Sequence, residues 1–289
     1  MFKNATIYRA TFAADHLHDS VLPDFIPCGQ TQEKSFGWLP PRGQGHGALM
    51  EIVAGQSILK FVTETKAVPA DVIARKAQEL AQKYEDETGF KPGKKMRAEF
   101  KEEVKFTLLP HAFAKRTATF VWLSPEGFIV VDTASQHKTD DILSSLIQSF
   151  EGMSVKPVHS LQSPSAAMAQ WLIDQDSPLS FSVDRECELV APDESKAVVK
   201  YGRHPLDIDE VRSHVRQGKI PTKLALTFNG RVSFVLTNNL TLKKLTFLDA
   251  TAVLHDKEDA FDADVTLLAG EMTPLISGLL EALGGEVTA

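Results

Sequence analysis

Lys223-Leu224-Ala225-Leu226-Thr227-Phe228-Asn229-Gly230-Arg231-Val232-Ser233-Phe234-Val235-Leu236 is the stretch of this 289-residue chain that decides its fold class. Two strand-forming runs flank Asn229-Gly230, the dipeptide favoured in a two-residue type I′ turn, so the segment reads as an antiparallel hairpin. Before it, residues 179–183, 188–190 and 197–201 have strand character, and a short helix at 208–216 ends at Gly218. After it, residues 242–247 and 263–268 add strands, and Thr273-Pro274 opens a last helix that reaches Leu283, with Gly284 just past its end.

The N-terminal part has the same texture. Residues 5–10, 36–39 (closed by Pro40-Pro41), 48–54 and 57–62 (after Gly55) are short β-like runs with glycine and proline punctuation. Residues 117–123 and 127–132 flank Ser124-Pro125-Glu126 as a second hairpin. Helical spacing appears at 140–150 and at 164–173, where Ser163 is placed as N-cap and Pro164 in the first turn. Strands cluster rather than alternating strictly with helices, which makes the class α+β. With no internal repeat and no low-complexity linker, the expected organisation is coupled subdomains: a central α+β region (1–65 and 117–178), a helical arm (66–116) and a C-terminal α+β region (179–289).

The arm is a helical hairpin. Ile73, Ala77, Leu80, Ala81 and Tyr84 recur at helical spacing behind Pro69, residues 86–93 interrupt the pattern, and a second helix runs from about Lys94 to Leu108 before Pro110 stops it. On a wheel of 100° per residue, Met96, Phe100, Val104 and Leu108 make an apolar edge. Lys94, Arg97, Lys101 and Lys105 form a basic stripe beside it, and Glu99, Glu102 and Glu103 fall on the other side. A solvated helix face is the plain alternative, against which stand the segregation of sign around the wheel and a second basic cluster far away in sequence.

Charge is segregated along the chain as well. With 31 Lys+Arg, 38 Asp+Glu and a net charge of −7, the chain as a whole is acidic, which argues weakly against a polyanionic partner. Residues 90–116 carry Lys91, Lys94, Lys95, Arg97, Lys101, Lys105, Lys115 and Arg116 against three acids, a local net of +5. Residues 196–223 carry Lys196, Lys200, Arg203, Arg212, Arg216, Lys219 and Lys223 against three acids, a local net of +4, which leaves −16 on the remainder. Spread cations without a base-reading motif suit phosphate contacts, whose energy comes from counterion release and carries no sequence information.

Other chemistry is sparse. There is no GxxxxGK[ST] loop, no GxGxxG, no GxSxG and no HExxH, which argues against a nucleotide-driven motor or a common hydrolase. His16 and His18 are a metal pair without a third ligand nearby, better read as solvated histidines, so neither metal nor cofactor is expected. Asp262 and Asp264 form a DxD that would place both carboxylates on one face of a strand, the alternative being a metal-dependent nuclease; a charged outer strand face is the plainer reading. Trp38, Trp122 and Trp171 are base-stacking candidates, with core packing favoured for Trp122 and Trp171. Cys28 and Cys187 lack ligand spacing, Cys187 has no electropositive surroundings, and the chain reads as disulfide-free and cytoplasmic. No signal peptide is evident and no apolar run approaches the roughly 20 residues that span a bilayer, so no membrane partner is expected.

Leu108-Leu109-Pro110-His111-Ala112-Phe113-Ala114 resembles the LLPRAF signature of the RdgC family, recombination-associated proteins of bacteria. The similarity extends in family order through Met1-Phe2-Lys3-Asn4, Tyr8-Arg9, Pro27-Cys28-Gly29, Phe36-Gly37-Trp38-Leu39-Pro40-Pro41, Thr222-Lys223-Leu224-Ala225-Leu226, Phe261-Asp262-Ala263-Asp264 and Gly284-Gly285-Glu286. The resemblance implies a horseshoe-like subunit closing into a ring-shaped homodimer, with double-stranded DNA (single-stranded DNA is also open) held in a basic central hole. It further implies sequence-independent binding without catalysis, restraint of RecA filaments, and association with the nucleoid, replication and recombination. Carried over by position, Phe113 matches an aromatic that inserts into the partner subunit; from the residues alone an ordinary core aromatic beside Pro110 would be favoured. Lys94, Lys95, Arg97 and Lys101 match one basic arm, and Lys200, Arg203 and His204 the other. His111 stands where the family has Arg, which weakens a fixed cationic contact there, with Lys115 and Arg116 nearby to compensate.

Overall fold

The structure, a computed structural model, describes residues 2–11, 21–178, 180–248 and 257–287. Among them are twelve strands and six helices, and the chain divides into two compact units. The first comprises Met1–Leu22, Pro40–Lys60 and Thr119–Ala289, the second Pro23–Leu39 and Phe61–Ala118. The strands are β1 (Asn4–Thr11), β2 (Lys34–Leu39), β3 (Met50–Val53), β4 (Gln56–Lys66), β5 (Ala114–Leu123), β6 (Phe128–Val131), β7 (Ser154–Pro157), β8 (Phe181–Val190), β9 (Val198–Gly202), β10 (Ile220–Phe228), β11 (Val232–Thr237) and β12 (Leu242–Phe247). The helices are α1 (Ala70–Thr88), α2 (Lys94–Leu108), α3 (Gln136–Ser149), α4 (Pro164–Asp174), α5 (Asp209–Arg216) and α6 (Lys257–Ala282).

In the first unit the strand order is β4-β5-β6-β1-β12-β11-β10-β8-β9, with β3 on β4 and β7 on β1. The expected hairpin is β10–β11, paired antiparallel from Lys223↔Thr237 to Phe228↔Val232. Asn229 (φ 50°) and Gly230 (φ 67°) supply the positive φ values that a type I′ turn demands. β1 joins the two halves of this sheet. Thr6–Arg9 pair with β6 on one edge, while the other edge takes β12 at Asn4 and Ala5 and β7 from Tyr8 to Thr11.

The core of this unit packs Trp171 and Met168 of α4 and Met272, Leu275 and Leu279 of α6 with Leu224, Leu226, Phe228 and Leu236 of the hairpin. Gly278 lets α6 approach closely: a Cβ there would stand 3.1 Å from the Phe228 ring. Glu286 is clasped to β1. Arg9 Nε donates to Glu286 Oε1 at 3.0 Å, its Nη2 donates to Oε2, and the guanidinium lies 3.7 Å over the Phe128 ring.

Four sequence expectations are corrected in this unit. Residues 263–268 are not a strand, and Thr273-Pro274 does not open a helix; both lie inside α6, with Pro274 internal. The alternation Phe261, Ala263, Val265 suggested period two, but Val265, Leu268, Met272, Leu275 and Leu279 continue at steps of three and four, and all are buried. Pro274 gives up one backbone hydrogen bond, a cost that the burial on both sides of it offsets. Residues 260–282 are also long and apolar enough to cross a bilayer, contrary to the sequence estimate, and half of the apolar window is buried inside the protein. Finally, residues 181–183 and 188–190 belong to one strand, β8, whose register against β10 shifts midway and so blurs the alternation; Leu179 lies outside the described residues.

The second unit holds β2, the later part of β4, the beginning of β5 and the α1/α2 hairpin. α1 stops at Gly89 (φ 74°), whose N–H caps Glu85 O at 2.8 Å. Tyr84 of α1 and Phe100 of α2 pack with ring centroids 6.1 Å apart. Elsewhere in the unit Trp38 meets Phe61 edge-on at 4.9 Å. Gly37 is required there, because its backbone runs against Phe25: a Cβ would fall 2.6 Å from Phe25 Cα. Gly37→Ala is expected to lower stability by about 1–3 kcal/mol in urea unfolding, since backbone, not a yielding side chain, opposes the new methyl.

Candidate nucleic-acid interface

The basic stripe depends on the way α2 lies on α1. Val104 is buried and Met96, Phe100 and Leu108 are half-buried, which realises the apolar edge of the wheel. That arrangement leaves Lys94, Lys95, Arg97 and Lys101 exposed.

Their electrostatic states differ, and the difference decides which cations a polyanion can use at least cost. Lys105 is held by Glu33 at 2.7 Å, which pushes its ammonium above the ordinary value. Lys91 stands 3.9 Å from Glu85. Arg116 donates through Nε to Glu64 Oε2 and lies 5.1 Å over the Phe25 ring. Glu64 is only 3% exposed and also accepts the Cys28 N–H at 2.8 Å. The Arg116 hydrogen bond, followed by that N–H, holds its carboxyl below the usual range. Lys94, Lys95, Lys101 and Lys115 carry no ion pair among the described residues, and Arg97 spends one donor on Pro92 O at 3.0 Å.

The second basic segment lies in the first unit, across β9, the following loop, α5 and β10. Lys200 of β9 and Lys223 of β10 sit in register on either side of Glu188 of β8. Glu188 Oε2 accepts from Lys223 Nζ at 2.9 Å and pairs with Lys200 Nζ at 3.2 Å, while Oε1 accepts from Thr222 Oγ1 at 2.9 Å. Burial pushes this carboxyl up, but Lys223, Thr222 and Lys200 outweigh it and hold it down at about 2. Arg203 occupies the left-handed region (φ 56°) and is exposed, and the His204 N–H is fixed by Arg185 O at 3.0 Å. Arg212 is paired with Asp209 at 2.8 Å. Sequence reading missed Glu188, Glu64 and Glu33, because each lies at least 12 residues from the cation it holds and comes from another strand or loop.

A family profile described as "Putative exonuclease, RdgC" matches residues 1–286. This chain belongs to the RdgC family. It is 40% identical to the recombination-associated protein RdgC of Cupriavidus necator, over 99% of this chain and 98% of that protein. The same-named proteins of Janthinobacterium sp. (strain Marseille) and Bordetella pertussis are 39% and 36% identical, again over 99% and 98%.

The RdgC profile's description raises nuclease chemistry, and Asp262 and Asp264 were its sequence candidates. They lie on α6, not on a strand, so positions two apart point about 200° away from each other and do not share a face. Asp262 accepts from Arg42 Nη2 at 2.6 Å, and Arg42 in turn binds Glu51 at 3.0 Å. Among the described residues no three His, Cys, Asp or Glu side chains gather as a metal site; His16 and His18 lie outside those residues.

The tryptophans are not a stacking track in this RdgC chain. Trp38 and Trp122 are fully buried, Trp171 nearly so, and Trp122 Nε1 donates to Gln56 Oε1 at 2.8 Å. Burial pushes the Cys187 thiol up to about 12, so it does not supply a thiolate. Phe113, by contrast, is 96% exposed, which removes the core-aromatic alternative. Phe90 and Phe106 of the same unit are exposed too.

The depressed Glu64 carboxyl carries a pH signature. Stability from this pair is fully present above the ordinary carboxyl value of 4.5 and is lost as pH falls through it towards the lower folded value. Wild type should exceed Glu64→Gln in urea stability at pH 7, with the gap narrowing as pH falls below 4.5; a gap independent of pH would contradict the assignment.

Proposed function

We propose that this RdgC-family chain is a non-enzymatic, sequence-independent DNA-binding protein. In this reading two horseshoe-like subunits close as a ring-shaped homodimer around duplex DNA and restrain RecA-promoted recombination, in the cytoplasm and in association with the nucleoid and replication. The observation that carries the DNA reading is the α2 stripe, where Lys94, Arg97 and Lys101 are exposed along one face without carboxylate partners, while Lys95 is exposed on the side that carries Glu99 and Glu102. Such cations can exchange counterions for phosphates without first breaking an internal pair, and their contacts carry no base information. Phe113 supports the dimer reading, because a fully exposed phenylalanine gains free energy when a second subunit covers it. Occupied DNA would deny RecA its substrate without any direct contact.

Fluorescence anisotropy with duplexes of unrelated sequence should give similar affinities that fall steeply between about 50 and 200 mM salt. Lys94→Ala/Lys101→Ala should lower the log K against log salt slope by about 1.8. Strong sequence selection or salt-insensitive binding would overturn the reading, and DNA cleavage with Mg²⁺ or Mn²⁺ would overturn its non-enzymatic part.

For the dimer, scattering of Phe113→Ser should report an opened or dissociated ring with weaker DNA binding. An unchanged closed dimer would refute the role given to Phe113.

A further inference from the structure

Lys223, Glu188 and Lys200 stand side by side on three adjacent strands, two ammonium groups sharing one carboxylate. The three are not equally committed. The Glu188 side chain is 15% exposed, Lys223 36% and Lys200 69%. A carboxylate this buried needs a firm partner, and Lys223 with the Thr222 hydroxyl provides one on each oxygen. Lys200 is therefore the second cation on an anion already balanced. Its ammonium is repelled by Lys223, reaches solvent along most of its length, and can leave without stranding a buried charge.

We propose that Glu188 is an internal competitor for phosphate: it holds the Lys200 ammonium in the free protein and yields it to a nucleic-acid backbone, while Lys223 and Thr222 keep the carboxylate satisfied. The proposal rests on the DNA-binding reading above and concerns how that affinity is set. It divides the second basic segment into a transferable cation, Lys200, and a fixed counter-charge, Lys223, a division that the linear sequence does not contain. The carboxylate is a positioning group and a brake: it keeps the lysine head over the sheet and makes phosphate binding weaker than two bare lysines would allow.

The test is a double-mutant cycle in duplex affinity, measured by anisotropy at several salt concentrations on the full chain. Glu188→Gln is expected to tighten binding by about three- to tenfold at low salt, since the competing charge is removed and the amide still fills the site. Lys200→Ala should weaken binding and lower the salt slope by about 0.9. In the Lys200→Ala background Glu188→Gln should lose most of its gain.

Unchanged or weaker binding by folded Glu188→Gln overturns the proposal, as does a gain that persists undiminished without Lys200, which would make Glu188 a distant repulsive charge only. If Glu188→Gln does not fold, Lys200→Ala decides alone: an unaltered salt slope overturns the assignment. Absence of wild-type binding would instead defeat the DNA reading itself, so the two failures are distinguishable.

Discussion

Much of the first unit depends on the shared edge of β1. A strand has two edges, and β1 divides one of them between partners, giving Asn4 and Ala5 to β12 and the residues from Tyr8 onward to β7, while its other edge carries β6. The constraint is geometric. A shift of β1 by one residue would turn Ala5 and Ile7 out of the core and would break the register with all three neighbours together. Asp132 reinforces the position by accepting the backbone N–H groups of Lys3 and Asn4 at 2.8 and 2.9 Å. Burial raises that carboxyl while those two N–H groups oppose the rise.

Local features were legible in sequence where one principle acted alone. The Asn229-Gly230 turn, the Ser163 cap with its bond from the Ala166 N–H, and the α2 wheel are set by residues within one turn of one another. Reading failed where two periods overlapped, as at residues 261–265 of α6, or where a register shift broke alternation, as in β8. The candidate site divides in the same way. The exposed stripe on α2 is a property of one helix and could be read from it, whereas the neutralisation of Arg116 by Glu64 and of Lys223 by Glu188 is a property of strand pairing. No window along the chain contains both members of those pairs.

Charge counting along a sequence therefore overstates what a surface offers. Residues 196–223 sum to a positive charge, yet Glu188 lies outside that window and neutralises part of it in space. The α2 stripe retains more of its nominal charge because its own acids sit around the wheel at Glu99, Glu102 and Glu103 and none of them forms an ion pair with Lys94, Lys95 or Lys101. Two segments of similar formal charge thus differ in the work needed to hand a cation to a phosphate.

The clasp between Arg9 and Glu286 bears on synthesis. β1 is synthesised more than 200 residues before its partner β12, and before Glu286, whose carboxylate holds Arg9. Until β12 is made, the part of one β1 edge at Asn4 and Ala5 is open, although β6 and β7 can already pair with the rest of β1. Contacts between such distant residues make closure slow and leave an unpaired strand exposed to association with other chains. Synthesis of β12 and of Glu286, rather than the appearance of the β10–β11 hairpin, is the event after which this sheet can be completed.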